Sequence, residues 1–250
     1  MALYALNYEI ARTAEAVSNE ALGDIRLAWW AQGIDEIYAG GAVRAHPALQ
    51  AYGEAVAEFS LPREPMDALI EARGKDLDAA PFEAWQDLDA YVDATAGSLF
   101  RLAIEMAAES PERPKQFEGF LRYAGRAWGY CGLLRALPHW SARRRTFFPA
   151  KLLAHNNLTA DTLFEDLTGH GARSCHAAVL DRGRHAYKEA RDLATLLPSS
   201  VFPAVGYLAL APRYFRALSQ PHTDVVMAPV LTPLLLRQFS LIMASATGKV

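Results

Sequence analysis

The chain is short of sulfur, of long apolar runs and of net charge of either sign. Two cysteines in 250 residues, Cys131 and Cys175, are too few for a disulfide framework or a cysteine-based zinc site. They read as reduced, buried thiols. No stretch offers the roughly 20 uninterrupted apolar residues that a membrane span requires. The closest run, Val225 to Ala244, is interrupted by Pro229, Pro233 and Arg237, and reads as a loop followed by a final soluble helix. A peripheral membrane contact stays open there. No basic region followed by an apolar run begins the chain, which excludes a secretory signal. The formal net charge of -3 and pI of about 6.2 give no general reason to expect a nucleic-acid partner. A cytoplasmic protein is expected, with the inner face of the cytoplasmic membrane as the one peripheral site left open.

Strand-like alternation, low-complexity tracts and repeats of about 20 to 50 residues are also missing. What is present is helical periodicity. A content of 52% hydrophobic and 21% charged residues can bury a sizeable core, and residues 1–250 read as a single domain. Between Phe82 and Ala107, the positions Leu88, Tyr91, Val92, Thr95, Leu99 and Leu102 recur at steps of three and four. Similar patterns predict helices at Glu20 to Tyr38, Pro47 to Phe59, Pro65 to Leu77, Gln116 to Leu137, Ala172 to Leu197 and Leu231 to Ala244. Prolines at 47, 62, 81, 138, 149, 198 and 212 punctuate them. The fold class is all-α.

Few side chains offer chemistry by themselves. His170, His176 and His185 are spaced by six and nine residues, which does not put two ligands on one helical face, and no serine sits in a nucleophile elbow. Asp76, Asp78 and Asp87 read as solvent-facing; Asp89 and Asp93 share a face and form the least implausible metal site. Trp29 and Trp30 point in different directions on one helix, so at least one belongs to the core. Arg135 sits in an apolar helix and needs a partner, either a carboxylate or a bound anion. Arg143, Arg144 and Arg145 form a cluster that reads as a solvated loop or as a site for a diphosphate, an anionic lipid or an acidic protein surface.

The segment GLLRALPHWSARRRTFFP, Gly132 to Pro149, resembles the second aspartate-rich motif of squalene and phytoene synthases, close to NILRDVGEDARRGRIYLP. Leu133, Leu134, Arg135, Ala142, Arg143, Arg144, Arg145 and Pro149 fall on that pattern, but its two metal-binding aspartates are replaced by Ala136 and Trp140. LYALNYEIARTAEAV similarly resembles the first motif, LYAFCRRADDIVDE, with Ala11, Arg12 and Glu15 at the acidic positions. Gly129 and Gly132 stand where the family has a glutamine and an asparagine. Arg26 to Gly40, Leu61 to Asp78, and Tyr91, Ala96 and Gly97 extend the likeness along the chain. Family members usually carry another helix before the first motif, so one is expected to be missing here.

The resemblance implies an isoprenoid-synthase-like helical bundle around a central cavity, with Tyr4, Tyr91, Gly97, Gly129, Gly132 and Trp140 on its wall and Trp140 partly plugging it. Arg135, Arg143, Arg144 and Arg145 inherit an anion-binding role from it. ALNYEIA, LRALPHWSARRRTFFP and the FPA run at Phe202 to Ala204 are closest to a subgroup, the phytoene-synthase-like assembly factors of respiratory complex I and their bacterial relatives. Those relatives share the loss of metal-binding aspartates, which implies a noncatalytic assembly or interaction protein, without cofactor or metal, whose partners are complex I subunits. The alternative is a divergent enzyme of head-to-head prenyl transfer, with Glu15, Asp89 or Asp93 as replacement magnesium ligands. An isoprenoid or lipid ligand fits either reading.

Overall fold

The computed structural model describes residues 1–17, 19–108, 117–220 and 232–250. Gln116 and Leu231, two predicted helix starts, lie outside the described residues, as do Val225 and Pro229. No strand occurs among the described residues.

Several boundaries have visible local causes. Helix α1, Ala2–Ala11, passes into a 3-10 turn at Thr13–Glu15. Helix α2, Glu20–Tyr38, starts where the Asn19 side chain accepts the Leu22 N–H at 3.0 Å, satisfying a donor with no intrahelical partner. Helix α3, Pro47–Phe59, places proline where a missing N–H costs nothing and ends at Ser60 in the left-handed conformation. Helix α4, Glu64–Ala72, tightens into a 3-10 turn at Arg73–Asp76.

The stretch predicted as one helix from Phe82 to Ala107 is three pieces: α5 (Trp85–Val92), a π-helical turn (Asp93–Gly97) and α6 (Ser98–Ala107). The wider turn shifts register by one residue midway. Helix α7, Glu118–Arg135, ends at Ala136, and α8, Leu137–Ala142, restarts with Pro138 in its first turn. Trp140 N–H still donates to the Ala136 carbonyl at 3.1 Å, so the two positions share one face despite the break. The chain continues through α9 (Ala150–His155), α10 (Ala160–Leu163), the long α11 (His170–Ala194), α12 (Phe202–Val205) and a 3-10 turn at Gly206–Leu210. Helices α13 (Ala211–Leu218) and α14 (Leu234–Thr247) complete it. None of the described helices is long and apolar enough to cross a membrane.

Buried side chains from Leu3 on α1 to Leu218 on α13 form one continuous core. Trp30 belongs to it at 1% exposure, whereas Trp29 remains 38% exposed beneath the Arg44 guanidinium. Burial pushes the Cys131 thiol up to about 12 and that of Cys175 up to about 11, and both are free.

One close backbone approach between the π turn and α7 explains Gly125. A Cβ built on Gly125 of α7 would lie 2.6 Å from the Gly97 Cα and 2.9 Å from its nitrogen, and backbone cannot step aside as a flexible side chain can. Position 125 therefore requires glycine, whereas a Cβ on Gly97 would meet only the Val92 oxygen at 3.9 Å and Asp93 Cβ at 4.0 Å; Gly97 lies at this helix contact and not on the cavity wall predicted for it. Gly125→Ala is expected to lower stability by about 1–3 kcal/mol through overpacking. Gly132→Ala, whose Cβ would meet nothing within 4 Å, is expected to gain up to about 1 kcal/mol of helix propensity. Urea midpoints that move alike in both variants would contradict this packing.

Candidate functional site

The two motif segments face each other. Ala11, Ala14 and Glu15 from the end of α1 and its following turn lie across a cavity of about 330 Å³ from Gly132, Ala136, His139 and Trp140 of α7 and α8. Its remaining wall comes from Tyr91 and Val92 on α5, from Thr95 and Ala96 in the π turn, and from Trp128 and Gly129 on α7. The π turn matters locally: Thr95 donates its hydroxyl to the Tyr91 carbonyl at 2.7 Å, turning its polar end away from the cavity. Trp140 is half-buried and stacks edge-on against Phe147, with centroids 6.5 Å apart. An indole thus occupies wall volume at a position where the resembling motif has a carboxylate.

Polar groups gather at two places. At one, Glu15 lies 3.2 Å from His139 Nε2, and Arg143 Nη1 lies 2.8 Å from His139 Nδ1. His139 thus sits between Glu15 and Arg143 and links the two motif segments through side chains of the chain itself. At the other, Arg73 Nη1 donates to Asp76 Oδ2 at 3.0 Å and to the Tyr91 hydroxyl at 2.9 Å, while Tyr91 donates to Asp76 Oδ1 at 2.6 Å. Burial drives the Tyr91 hydroxyl far above its usual value, so it acts as a fixed donor.

The charged residues of the wall are Glu15, Asp76, Arg73, Arg143 and Arg145: two carboxylates against three arginines. Both carboxylates already have cationic or histidine partners. Magnesium prefers oxygen ligands in a near-octahedral shell, and this set does not fit it. Among the described residues, no three histidine, cysteine, aspartate or glutamate side chains are grouped closely enough to hold a metal ion.

The proposed substitute ligands, Asp89 and Asp93, do not reach the cavity. Asp89 is 8% exposed and takes hydrogen bonds from Arg182 Nε at 3.1 Å and, at still closer approach, from the Tyr130 hydroxyl and Arg182 Nη2. Arg126 Nη1 lies 3.2 Å from Asp89, and the same guanidinium holds Asp93 through bonds of 2.8 and 2.7 Å. Asp76 is 7% exposed. The expectation of a solvent-facing acid fails for Asp76, and that of a metal ligand finds no support at Asp89, because arginines in the preceding turn or more than 30 residues away compensate them. Burial alone would raise the Asp89 carboxyl; hydrogen bonds from Arg182 and Tyr130 outweigh it and hold it below the usual aspartate value.

Other predicted positions are dispersed. Tyr4 is 39% exposed and packs edge-on against Tyr207, away from the cavity wall. Among the described residues Arg135 has no carboxylate partner; its guanidinium lies 4.0 Å from the centroid of the Tyr214 ring. The arginine cluster splits three ways. Arg143 meets His139, Arg144 is exposed with φ 51° beside the Phe164 ring, and Arg145 donates to the carbonyls of Asp76 and Leu77, the latter at 2.8 Å. Arg145 is therefore a structural tie rather than part of a solvated loop. Sequence reading missed Arg73, Arg126, Arg182 and His139. The signal it used for Arg135, a charge set within an apolar helix, was equally present at Arg126.

The squalene/phytoene synthase family model matches residues 1–238. NADH dehydrogenase (ubiquinone) complex I, assembly factor 6, of Mus musculus is 23% identical over 224 residues, covering 90% of this chain and 66% of that protein. Its Bos taurus counterpart is 25% identical with the same coverage, so the chain spans just under two thirds of these relatives. Among solved structures, squalene synthase HpnC from Alicyclobacillus acidocaldarius superposes with TM-score 0.69 at 20% identity, over 99% of this chain and 82% of that one. A dehydrosqualene synthase superposes with TM-score 0.71 at 14% identity, over 98% and 86%. These structures share the fold of this chain.

Asp89→Asn is expected to cost about 3 kcal/mol at neutral pH by leaving Arg182 short of its buried partner. Because the folded-state pKa of Asp89 is depressed, its contribution is complete above the unfolded value, about 3.9, and is lost as pH falls toward and through the lower folded value. The difference in urea midpoint between wild type and variant should therefore narrow in acid. A constant gap down to acid unfolding would rule out the assigned role.

Proposed function

From the premise that the chain belongs to the squalene/phytoene synthase family, we propose that it is a noncatalytic member that acts as an assembly or interaction protein for respiratory complex I. One observation carries the loss of chemistry: the cavity wall bears two compensated carboxylates against three arginines. Transfer of a prenyl diphosphate depends on stabilising a departing diphosphate, and convergent carboxylates holding magnesium are the means that the motifs would supply. Ala11, Ala136 and Trp140 cannot supply them. The assembly role draws its support from relatives named as complex I assembly factor 6, which match 90% of this chain.

The rival reading, a divergent prenyl transferase using Glu15, Asp89 and Asp93, has the apolar cavity in its favour. It has the ion pairs against it. Glu15 is held at the mouth by His139, and the two aspartates are held by Arg126 and Arg182 on another side of α5. Without a metal to hold, the cavity is free to serve as a rigid support for partner-binding surfaces or as a site for an isoprenoid or lipid.

Purified protein given farnesyl or geranylgeranyl diphosphate, magnesium and a reductant is expected to form neither squalene nor phytoene. Enzyme-dependent appearance of either product would overturn the noncatalytic reading. Deleting the gene in the source organism is expected to reduce assembled complex I, measured by native gel and NADH oxidation, with recovery on restoring the wild-type gene. Normal complex I in the deletion strain would remove the assembly role while leaving the enzymatic result untouched.

A further inference from the structure

The final described helix, α14, leaves several large apolar side chains exposed. Leu235 is 77% exposed, Ile242 65% and Phe239 57%. These three sit at i, i+4 and i+7, so they form one stripe along the helix. Ala244, the one buried residue of α14, is nine positions from Leu235, about 180° around the helix. Ser240, on the same inner side, receives a hydrogen bond from Arg213 of α13. The helix is therefore seated by a narrow seam, with its apolar stripe directed away from the body.

Charge around this stripe is one-sided. From Leu193 to Val250 the sequence holds four cationic side chains, Arg213, Arg216, Arg237 and Lys249, and one carboxylate side chain, Asp224. The preceding 192 residues hold the other 21 Lys and Arg and 27 Asp and Glu, because 25 − 4 = 21 and 28 − 1 = 27. Net charge is thus -6 before residue 193 and +3 after it. Beside the stripe, a groove of about 390 Å³ between α13 and α14 brings Arg213, Arg216 and Lys249 together over Phe239 and Met243, with no acidic residue among the described residues of its lining.

We propose that α14 is a docking surface for an anionic phospholipid membrane, with Leu235, Phe239 and Ile242 entering the acyl boundary and the groove cations meeting lipid phosphates. An interfacial helix needs this combination: an apolar face that can enter the headgroup layer and cations placed to meet phosphate. A second copy of the chain would bring the four cations against four more, which opposes self-association through the same face. The helix lies on the body rather than spanning a bilayer, because its 14 residues rise only about 21 Å against a hydrocarbon core of about 30 Å. This surface is separate from the old metal site and does not depend on the complex I reading.

Sedimentation with vesicles tests it. Full-length wild type should bind phosphatidylcholine vesicles containing one-third phosphatidylglycerol, bind pure phosphatidylcholine weakly, and lose binding as salt is raised. The variant L235Q/F239Q/I242Q should partition at least about tenfold less. R216Q/R237Q/K249Q should lose the preference for anionic vesicles while keeping the wild-type melting temperature. Absence of vesicle binding by wild type, or undiminished binding to the anionic vesicles by either triple variant, would overturn the proposal. So would a dimer that L235Q/F239Q/I242Q converts to monomer with vesicle binding unchanged, since the face would then be a self-interface.

Discussion

Two arginines from different helices, Arg126 on α7 and Arg182 on α11, converge on the carboxylate of Asp89 on α5, and the Tyr130 hydroxyl completes its shell. A charge buried this far would be costly if any partner were absent, so the three helices are obliged to meet at this point. The consequence reaches the cavity. Val92, three residues after Asp89, lines the wall and opens directly into the π turn that places Thr95 and Ala96 there. Fixing α5 against α7 and α11 therefore sets one side of the cavity before any ligand is considered.

The same logic of charge compensation applies to the cavity wall. A site that holds magnesium concentrates negative charge and is stabilised by the cation it binds; stripped of that cation, it would be left with mutual repulsion. Here the repulsion has been removed in two ways. Neutral or aromatic groups occupy the positions of Ala11, Ala136 and Trp140, and the remaining Glu15 and Asp76 are linked to His139, Arg143 and Arg73. Arg145 reinforces the arrangement from the backbone side by tying down the carbonyls of Asp76 and Leu77. The helices keep their relative placement, and the wall no longer needs an ion to do so.

How much of this was legible depends on the distance over which each cause acts. Boundaries at Glu20–Tyr38 and Pro47–Phe59 were readable because Asn19 and Pro47 act within a few residues. Opposition of the two motif segments was readable through family likeness, since the replaced positions keep their apolar neighbours. The π turn was not readable: Leu88, Tyr91, Val92 and Thr95 satisfy a regular helical period up to the place where one extra residue is accommodated. Nor were the ion networks, whose partners are 33 residues apart for Arg126 and Asp93 and 93 apart for Arg182 and Asp89. Acidic residues on a helix usually face water, and only the tertiary approach of these arginines reverses that expectation. Tyr4 and Gly97 were assigned to the cavity by position in a motif, whereas side-chain direction and backbone crowding place them against Tyr207 and Gly125.

Charge is also what divides the molecule by task. In the first 192 residues, carboxylates exceed cations, yet around the cavity arginines outnumber them; the surplus acids lie elsewhere on that part of the chain. After residue 193 the balance reverses, and the exposed apolar side chains of α14 occur where carboxylates are nearly absent. An apolar stripe flanked by carboxylates would be repelled from a phosphate-bearing surface, and cations without the stripe would give only a screened, salt-sensitive attraction. Phe239 belongs to both the stripe and the groove lining, so the two lie on adjoining sides of α14 and can act together. The core meanwhile needs neither, because it is held by its own buried side chains from Leu3 to Leu218. A centre of compensated charge and a differentiated exterior are thus compatible in one fold: the interior is held by paired charges and apolar packing, and the surface remains free to specify what the protein meets.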